Sequence, residues 1–533
     1  MKSKSQKFVG LVTTALATSA LLSGAAIGEE RNRGADYTKE ASRDDRVRNQ
    51  MSSMNSARQR RASSTLIRLL NWHDIMLDAN ARDHTPGPFA GDQNGPTRNS
   101  RAFAMVSIAV FDAVNAFEFK YRPYNNIGRA PARASQDAAI AYAAYTTLVR
   151  LYPKQQAILD TELNGDLSRI SASPSALAAG RAIGVAAANA MINSRINTTT
   201  NVATDGAIAG EPAFGTGGVV GGGGTTTFFG GSVNGGQTTA PNWTPDPAGL
   251  PRGVALGARW GNVRPFVLTS GNQFRIPAPP APGTAAYRAA YNEVLTVGAS
   301  ADTPGSTTTQ QFQFIGNFWG YDGAPLLGTP PRLYNQIAVK VANDQGLRNV
   351  AAYARYLALV NSTMGDSGIA AWDSKYFYNY WRPVTGIRAN DGDATTPTVA
   401  GWKPFGASVI NAAVAEPFTP PFPAYPSGHA TFGAATFESM RDLFPNNTRF
   451  TFVSDEYNGT GVDPKGDPRP FVPVRYRSLQ EAQEENGQSR VYNGVHWQYD
   501  NTTGQNLGVK IARYTIANAF QRSRRDHDDR DDD

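Results

Sequence analysis

Three short segments in the second half of the chain combine residue types that can bind a tetrahedral oxyanion and move protons on it. They supply two guanidiniums, an ammonium, a hydroxyl, a glycine amide and two imidazoles, from Lys375, Arg382, Ser427, Gly428, His429, Arg490 and His496. Arginine binds anion oxygens in pairs and stays charged at any working pH, whereas lysine adds a point charge. Histidine can be a ligand, a nucleophile or an acid and base. These residues therefore predict chemistry on phosphate or on vanadate, which resemble each other in shape and charge.

The segment Pro426–His429 precedes a run of small and apolar residues that predicts a helix. Ser427 and Gly428 would lie at its N-terminus, where amide groups and the helix dipole favour an anion. Asp500 follows His496 by four residues, so on a helical turn the two would face the same side. Asp500 is therefore a candidate to orient the histidine ring, although a helix cap or a surface carboxylate explains it nearly as well.

The order and spacing of these segments resemble the signature of the vanadium-dependent haloperoxidase and type-2 phosphatidic acid phosphatase superfamily. The matching segments are Lys375-x6-Arg382-Pro383, Pro426-Ser427-Gly428-His429 and Ser489-Arg490-x5-His496-x3-Asp500. Their flanks are similar to the fungal-type vanadium chloroperoxidases, in particular at Trp372, Phe422 and the segments 318–323 and 328–336. The resemblance extends from about Phe318 to Asp500.

The resemblance implies one vanadate per chain, with His496 as the metal ligand. The implied donors to the vanadate oxygens are Lys375, Arg382, Ser427, Gly428 and Arg490, and the implied catalytic residues are His429, Lys375 and Asp500. Trp372 and Phe422 would line a halide pocket, although aromatic residues more often fill a core. Asp322 would pair with an arginine of the site, unless it is a solvated loop carboxylate.

The activity that this resemblance implies is oxidation of chloride or bromide by hydrogen peroxide to hypohalous acid, through a peroxovanadate at His496. Small organic acceptors would then react with the product. The alternative is a secreted acid phosphatase in which His496 forms a phosphohistidine and His429 is the general acid. An anion-binding module without turnover is disfavoured because both imidazoles are present.

The composition fits a folded enzyme and does not indicate a nucleic-acid-binding protein. The chain has 533 residues, 41% of them hydrophobic, a formal net charge of +7 from 51 basic and 44 acidic residues, and no cysteine. Removal of Lys2, Lys4 and Lys7 with a leader would lower the charge to +4 (48 − 44), too mild to argue for nucleic-acid binding. Without disulfides, stability must come from packing.

The N-terminus predicts an export signal over residues 1–28. A basic start, Met1–Lys7, precedes an apolar stretch to about Gly24 and small residues at 25–28. The stretch is barely long enough to span a membrane. We therefore expect a secreted or periplasmic protein with no stable membrane anchor after cleavage.

The remaining pattern predicts an all-α protein of two helical bundles, with the active site in the C-terminal bundle. The predicted domains are a disordered segment at 29–63, an N-terminal helical region at 64–345, a catalytic region at 346–523 and a charged tail at 524–533. A glycine-rich insertion at 204–253 lacks the lysine of a phosphate-binding loop and is interpreted as a surface loop. Helical periodicity predicts helices at 65–78, 101–119, 135–152, 173–193, 284–297, 306–318, 331–342, 346–363 and 504–522.

Overall fold

The computed structural model describes residues 63–195, 227–228, 231–232, 241–244, 255–258, 260–407, 418–463 and 466–523. The predicted leader, the polar segment up to residue 62, most of the glycine-rich insertion and the charged tail lie outside the described residues, as does His527. The domain boundaries assigned to these segments therefore stay predictions.

The N-terminal bundle is built around a helix that is buried on all sides. Serine side chains at 63, 135 and 173 accept amide hydrogen bonds and so begin three of its helices. The buried helix is α2, which packs against α3 and α5. By length and composition alone α2 and α5 could cross a membrane, a test that core helices also pass. The helices are α1 Ser64–Asp83, α2 Pro96–Glu118, α3 Gln136–Leu151, α4 Gln156–Leu167 and α5 Pro174–Asn193.

The C-terminal bundle carries all the predicted site residues and includes three helices between 285 and 344 that the sequence analysis assigned to the N-terminal region. It comprises α6 Ala285–Val297, α7 Gln310–Phe318, α8 Pro330–Asp344, α9 Val350–Tyr378, α10 Pro383–Arg388, α11 Gly428–Met440, α12 Leu479–Tyr492 and α13 Gln498–Asn518. Helix α9 packs against α2 on one side and against α11 and α13 on the other, so the bundles share it. Helices α11 and α13 approach closely at Gly508, where a Cβ atom would lie 2.3 Å from the Thr431 carbonyl oxygen.

Four short strands accompany the thirteen α-helices in the described part of the chain. Strands β1 Thr227–Phe228 and β2 Gly231–Ser232 form one antiparallel pair, and β3 Phe450–Asn458 and β4 Phe471–Tyr476 form another. Phe450 and Phe452 face the core from β3 and pair with Tyr476 and Val474 of β4. The predicted all-α fold of two bundles is correct, and the β3–β4 hairpin is an addition that the sequence analysis did not predict.

The helix bounds differ from the predicted ones in three informative places. Helix α9 continues to Tyr378, fifteen residues beyond the predicted end at 363, and α13 begins at Gln498 rather than at 504. Helix α4 was not predicted at all. The predicted α9 ended early because glycine interrupts the apolar pattern shortly after residue 363.

Candidate active site

Elements of the C-terminal bundle bring the predicted oxyanion-binding residues together around one buried point. Lys375 lies in the last turn of α9, Arg382 precedes α10 and Arg490 lies in the last turn of α12. Ser427 is the N-cap of α11, with its hydroxyl accepting the Ala430 amide, and Gly428 is the first residue of that helix. All these side chains are buried. We refer to Lys375, Arg382, Ser427, Gly428, Arg490 and His496 as the cage.

Main-chain carbonyl groups of the loops before α11 and α13 hold Lys375 and Arg382. Lys375 Nζ donates to the carbonyls of residues 423 and 424 at 2.7 and 3.0 Å. Arg382 donates from Nε to the Phe422 carbonyl at 3.0 Å and from one terminal nitrogen to the Val495 carbonyl at 2.7 Å. These bonds hold the loops and the two cations as one unit, which preorganises them for an anion.

The predicted partnership of His496 and Asp500 occurs, but not through a shared helical face. His496 lies before α13, whose N-cap is Trp497, and Asp500 is the third residue of that helix. One Asp500 oxygen accepts the Trp497 amide at 3.0 Å and lies 2.9 Å from His496 Nδ1. Helix capping therefore places the carboxylate beside the ring. Because Nδ1–H donates to Asp500, the lone pair of Nε2 faces Arg382, which lies 3.3 Å away.

His429 is held in the opposite sense. Its Nε2 lies 2.8 Å from the Gly320 carbonyl oxygen, so Nε2–H donates and Nδ1 is the nitrogen that can exchange a proton. The main-chain carbonyl of His429 accepts hydrogen bonds from Tyr334 Oη and Asn486 Nδ2, each at 3.0 Å. Tyr334 and Asn486 are positioning residues that the sequence analysis missed. Of the two, Tyr334 alone carried a signal, because it falls in the resembling segment 328–336.

Arg490 pairs with Asp322, the loop carboxylate considered from the sequence. Its two terminal nitrogens lie 2.9 and 3.3 Å from the Asp322 oxygens, and both side chains are at most 4% exposed. Asp322 also lies 3.8 Å from His429 Nε2. Arg490 Nε is buried and has no hydrogen-bond partner among the described residues. This donor is suited to an additional acceptor such as an anion oxygen.

Burial and mutual repulsion weaken the positive charge of the site. Desolvation, followed by repulsion from Arg382, lowers the pKa of Lys375 well below its usual value. Desolvation, followed by the neighbouring cations, also lowers the pKa of His496 and that of His429. Burial raises the pKa of Asp500 to about 7 against the Trp497 amide and the nearby cations. A bound oxyanion would offset this repulsion and favour the charged form of Lys375.

The donor set fits an oxyanion of vanadium better than a bare metal cation. Within the described ranges, no cluster of three or more His, Cys, Asp or Glu side chains is arranged to hold a metal ion. The site instead offers cationic donors, an unpartnered Arg490 Nε and one histidine nitrogen. Vanadate matches this donor set, because its oxygens accept hydrogen bonds and its metal centre can take one nitrogen ligand.

Two aromatic rings line one side of the cage. The ring centroids of Trp372 and Phe422 lie 4.8 Å apart, and Lys375 Nζ lies 5.4 and 5.0 Å from them. We call these two rings the aromatic wall. Both are at most 8% exposed. The wall thus excludes water beside a cage lysine, which strengthens the electrostatic effect of that lysine.

Two described pieces at the end of the glycine-rich region contact the segments that carry the cage. Residues 241–244 pair with residues 379–381, directly before Arg382, through hydrogen bonds of 2.7 and 2.9 Å. The Leu256 carbonyl accepts Trp372 Nε1 at 3.0 Å and Tyr376 Oη at 2.8 Å, and the Leu256 amide donates to the Pro421 carbonyl at 2.9 Å. Residues 241–244 of the predicted insertion therefore support the segment before Arg382, and residues 255–258, which follow the insertion, support Trp372.

Comparisons with known proteins agree with this architecture. Residues 355–524 match the family described as VCPO second helical-bundle domain. Vanadium chloroperoxidase from Curvularia inaequalis is 35% identical over 260 residues, which span 42% of this chain and 42% of that protein.

Solved structures share the fold over most of the chain. A bacterial vanadium-dependent iodoperoxidase matches with a TM-score of 0.61 and 22% identity, covering 85% of this chain and 97% of that one. A bacterial vanadium-dependent chloroperoxidase in its apo form matches with a TM-score of 0.59 and 17% identity, covering 82% and 95%. The chain thus carries the VCPO second helical-bundle domain and has the fold of these vanadium haloperoxidases, whose family signature its motifs resemble.

Proposed function

We propose that this protein is a vanadium-dependent haloperoxidase that oxidises chloride and bromide with hydrogen peroxide to hypohalous acid. The observation that carries the proposal is the buried cage: Arg382 lies 3.3 Å from His496 Nε2, Lys375 and Arg490 lie near the ring, and Asp500 holds the opposite ring nitrogen. The similarity to a chloroperoxidase supports chloride as a substrate, whereas the iodoperoxidase leaves the range of halides wider.

The cage residues would hold one vanadate per chain. His496 would supply the nitrogen ligand, and its neutral state, favoured by burial and by Arg382, is the form that binds a metal. Lys375, Arg382, Arg490, Ser427 and the Gly428 amide would donate to the oxygens. When bound, vanadate supplies a Lewis acid that activates hydrogen peroxide toward a halide.

The remaining residues would manage protons and water. His429, with Nε2 bound to the Gly320 carbonyl, would accept or donate a proton at Nδ1. Asp500 would keep His496 in one tautomer and orientation. The aromatic wall would keep the halide side of the cage dry, so that the charge of Lys375 acts at low dielectric.

The runner-up function is an acid phosphatase that uses the same cage. His496 Nε2 would attack phosphorus, and His429 would protonate the leaving group. The similarity to a vanadium chloroperoxidase favours the haloperoxidase over this alternative.

We further propose that the protein is exported. The basic start and the apolar segment within residues 1–28 support this location. Hydrogen peroxide, halide and small organic acceptors would be its partners.

The cofactor experiment separates the two enzymes. Protein stripped of vanadium by chelation should oxidise halide only after vanadate is added, and inorganic phosphate should compete with vanadate. The same preparations are assayed for hydrolysis of an aryl phosphate. Halide oxidation that survives removal of vanadium would contradict the haloperoxidase, and rapid phosphate release without halide oxidation would establish the phosphatase.

A further inference from the structure

A buried carboxylate outside the cage accepts a hydrogen bond from the loop 319–323, whose residues contact the active site. Glu456, on strand β3, is fully buried. Its Oε1 accepts the Tyr321 amide at 3.0 Å, and its Oε2 lies 3.4 Å from Arg469 Nη1. A buried carboxylate that accepts a main-chain amide makes a strong, charge-assisted bond. Strand β3 therefore holds the loop 319–323 at its central residue, Tyr321.

Tyr321 is held through both its main-chain amide and its side-chain hydroxyl. Its backbone is in the left-handed region with φ +48°, which is unfavourable for a residue other than glycine. Its hydroxyl donates to Gln336 Oε1 at 2.8 Å and accepts the Asp455 amide at 2.8 Å. Such a conformation persists only where the surroundings determine it. Strand β3 supplies two of these contacts, one from each of its adjacent residues 455 and 456.

The residues on either side of Tyr321 both reach the active site. The Gly320 carbonyl accepts His429 Nε2, and the Asp322 carboxylate binds both terminal nitrogens of Arg490. A shift of the loop would therefore displace the partner of a cage arginine and the partner of the proposed acid and base together.

The hairpin itself is anchored to the rest of the molecule. Asp455 accepts Gln336 Nε2 at 2.9 Å and pairs with Arg332, whose Nε donates to the Leu77 carbonyl of α1 at 3.2 Å. The β3 strand thus connects the N-terminal bundle and α8 to the loop, which gives Glu456 a rigid base.

We propose that Glu456 is a positioning residue that, through the Tyr321 amide, places Asp322 against Arg490 and the Gly320 carbonyl against His429. The proposal rests on the proposed function only in naming vanadate as the anion that the cage binds. Partners that orient a metal-binding group typically change affinity by about 10- to 100-fold when removed. Loss of the Glu456 side chain should act through Arg490 in the same way.

The test measures anion binding rather than turnover. Full-length Glu456→Ala should bind both vanadate and inorganic phosphate about tenfold more weakly than wild type by calorimetry. Glu456→Gln keeps an acceptor oxygen for the Tyr321 amide and should recover most of that loss. Because Glu456 acts on the anion through Asp322, a double variant with Asp322→Ala should bind only slightly more weakly than Asp322→Ala alone.

The control is Val474→Ala, which removes core volume from β4 of the same hairpin but leaves Glu456 in place. It should lower the melting temperature without weakening anion binding. Wild-type affinity in Glu456→Ala, or an equal loss of affinity in Val474→Ala, would overturn the proposal. If Glu456→Ala does not fold, the anion affinity of Glu456→Gln is compared with that of Val474→Ala. An affinity about tenfold weaker in Glu456→Gln would then overturn the proposal. Failure of the wild type to oxidise halide after vanadate is added would count against the proposed function instead.

Discussion

The two histidines of the site are distinguished by which ring nitrogen is held. Asp500 binds Nδ1 of His496 and leaves Nε2 toward the cage cations, whereas the Gly320 carbonyl binds Nε2 of His429 and leaves Nδ1. A hydrogen-bond partner on one ring nitrogen fixes the tautomer and orientation of the ring. The proposed ligand and the proposed acid and base therefore present different ring nitrogens to the site.

Alanine variants of the two histidines should separate binding from turnover. His496→Ala removes the proposed nitrogen ligand, so vanadate affinity should fall by at least about 10- to 100-fold. His429→Ala leaves the ligand and the cage cations, so vanadate should still bind while turnover falls by about 10²- to 10⁴-fold. Calorimetric titration with vanadate, beside steady-state halide oxidation, measures both quantities. Equal losses of vanadate binding in the two variants would show that the assignment of roles is wrong.

Phe422→His tests whether the aromatic wall sets halide preference. Chloride is harder to oxidise than bromide, so it depends more on a dry pocket beside Lys375. A histidine at this position would add a polar, titratable group about where the phenyl ring now lies 5.0 Å from Lys375 Nζ. Chloride oxidation should fall more than bromide oxidation, measured as steady-state rates for both halides. If Phe422 only fills core volume, both rates should fall in proportion, together with the melting temperature.

At this scale the sequence predicted what the motifs contain and missed what supports them. Motif spacing identified the residues that the structure brings together in the cage, because oxyanion chemistry demands fixed residue types. Tyr334 and Asn486 act through the main-chain carbonyl of His429, and many polar residue types could make such a bond. Pairing across 95 or 57 positions of sequence has no local signature. Asn486 could therefore be found only from the fold, whereas Tyr334 at least falls in the resembling segment 328–336.

Among the elements, helix α9 shows how tertiary packing overrides local preference. Its second half contains Gly365 and Gly368, which lower helix propensity and suggest an early end. A Cβ atom at Gly365 would lie 2.7 Å from the Phe266 ring, and one at Gly368 would lie 3.0 Å from Ser100 Oγ. These glycines therefore allow close packing and do not break the helix. The hairpin was missed for a related reason: its inward-facing positions include Ser454 and Glu456, which interrupt the apolar alternation of a strand.

Gly257→Ala tests whether the loop 255–258 positions the aromatic wall. Gly257 has φ +76°, and a Cβ atom there would lie 2.3 Å from Trp372 Nε1, so the indole would have to move. This displacement should also weaken the bond from Trp372 to the Leu256 carbonyl. We expect the ratio of chloride to bromide turnover to fall severalfold while vanadate affinity, which depends on the cage, changes little.

Gly346→Ala is the matched control for that variant. Gly346 has φ +75°, and a Cβ atom there would meet no other atom within 4 Å, so alanine adds the same backbone strain without a clash. The strain should cost about 1 kcal/mol of stability in both proteins. An unchanged halide ratio in Gly257→Ala, with a stability loss equal to that of Gly346→Ala, would show that the loop does not act on the wall.

At the scale of the whole molecule, the N-terminal bundle that packs against α9 contains a buried polar side chain, His73. His73 of α1 is 5% exposed beside Leu69, Met76 and Val106, and its Nε2 has no hydrogen-bond partner among the described residues. Burial lowers the pKa of this ring from 6.5 to about 4. Its distance from the cage along the chain and its apolar surroundings give it no part in the proposed chemistry. Its effect is on stability.

His73→Leu should therefore protect the protein against acid. The unfolded chain takes up a proton on His73 near pH 6.5, whereas the folded protein does so only near pH 4, so acidification between these values favours unfolding. The difference of about 2.5 between the two pKa values corresponds to at most about 3 kcal/mol at pH 4. Buried Asp112 and Asp366, with pKa values raised to about 7 and about 6, act in the opposite direction, and comparison of variant with wild type cancels them.

Urea unfolding at about pH 7.5 and about pH 4.5, on either side of the His73 transition of the unfolded chain, measures the difference. Met76→Leu in the same apolar surroundings is the control without a titratable group. The free-energy advantage of His73→Leu should grow by about 2 to 3 kcal/mol at the lower pH, whereas an advantage that is the same at both pH values would mean that His73 is already protonated, or already hydrogen-bonded, in the folded protein.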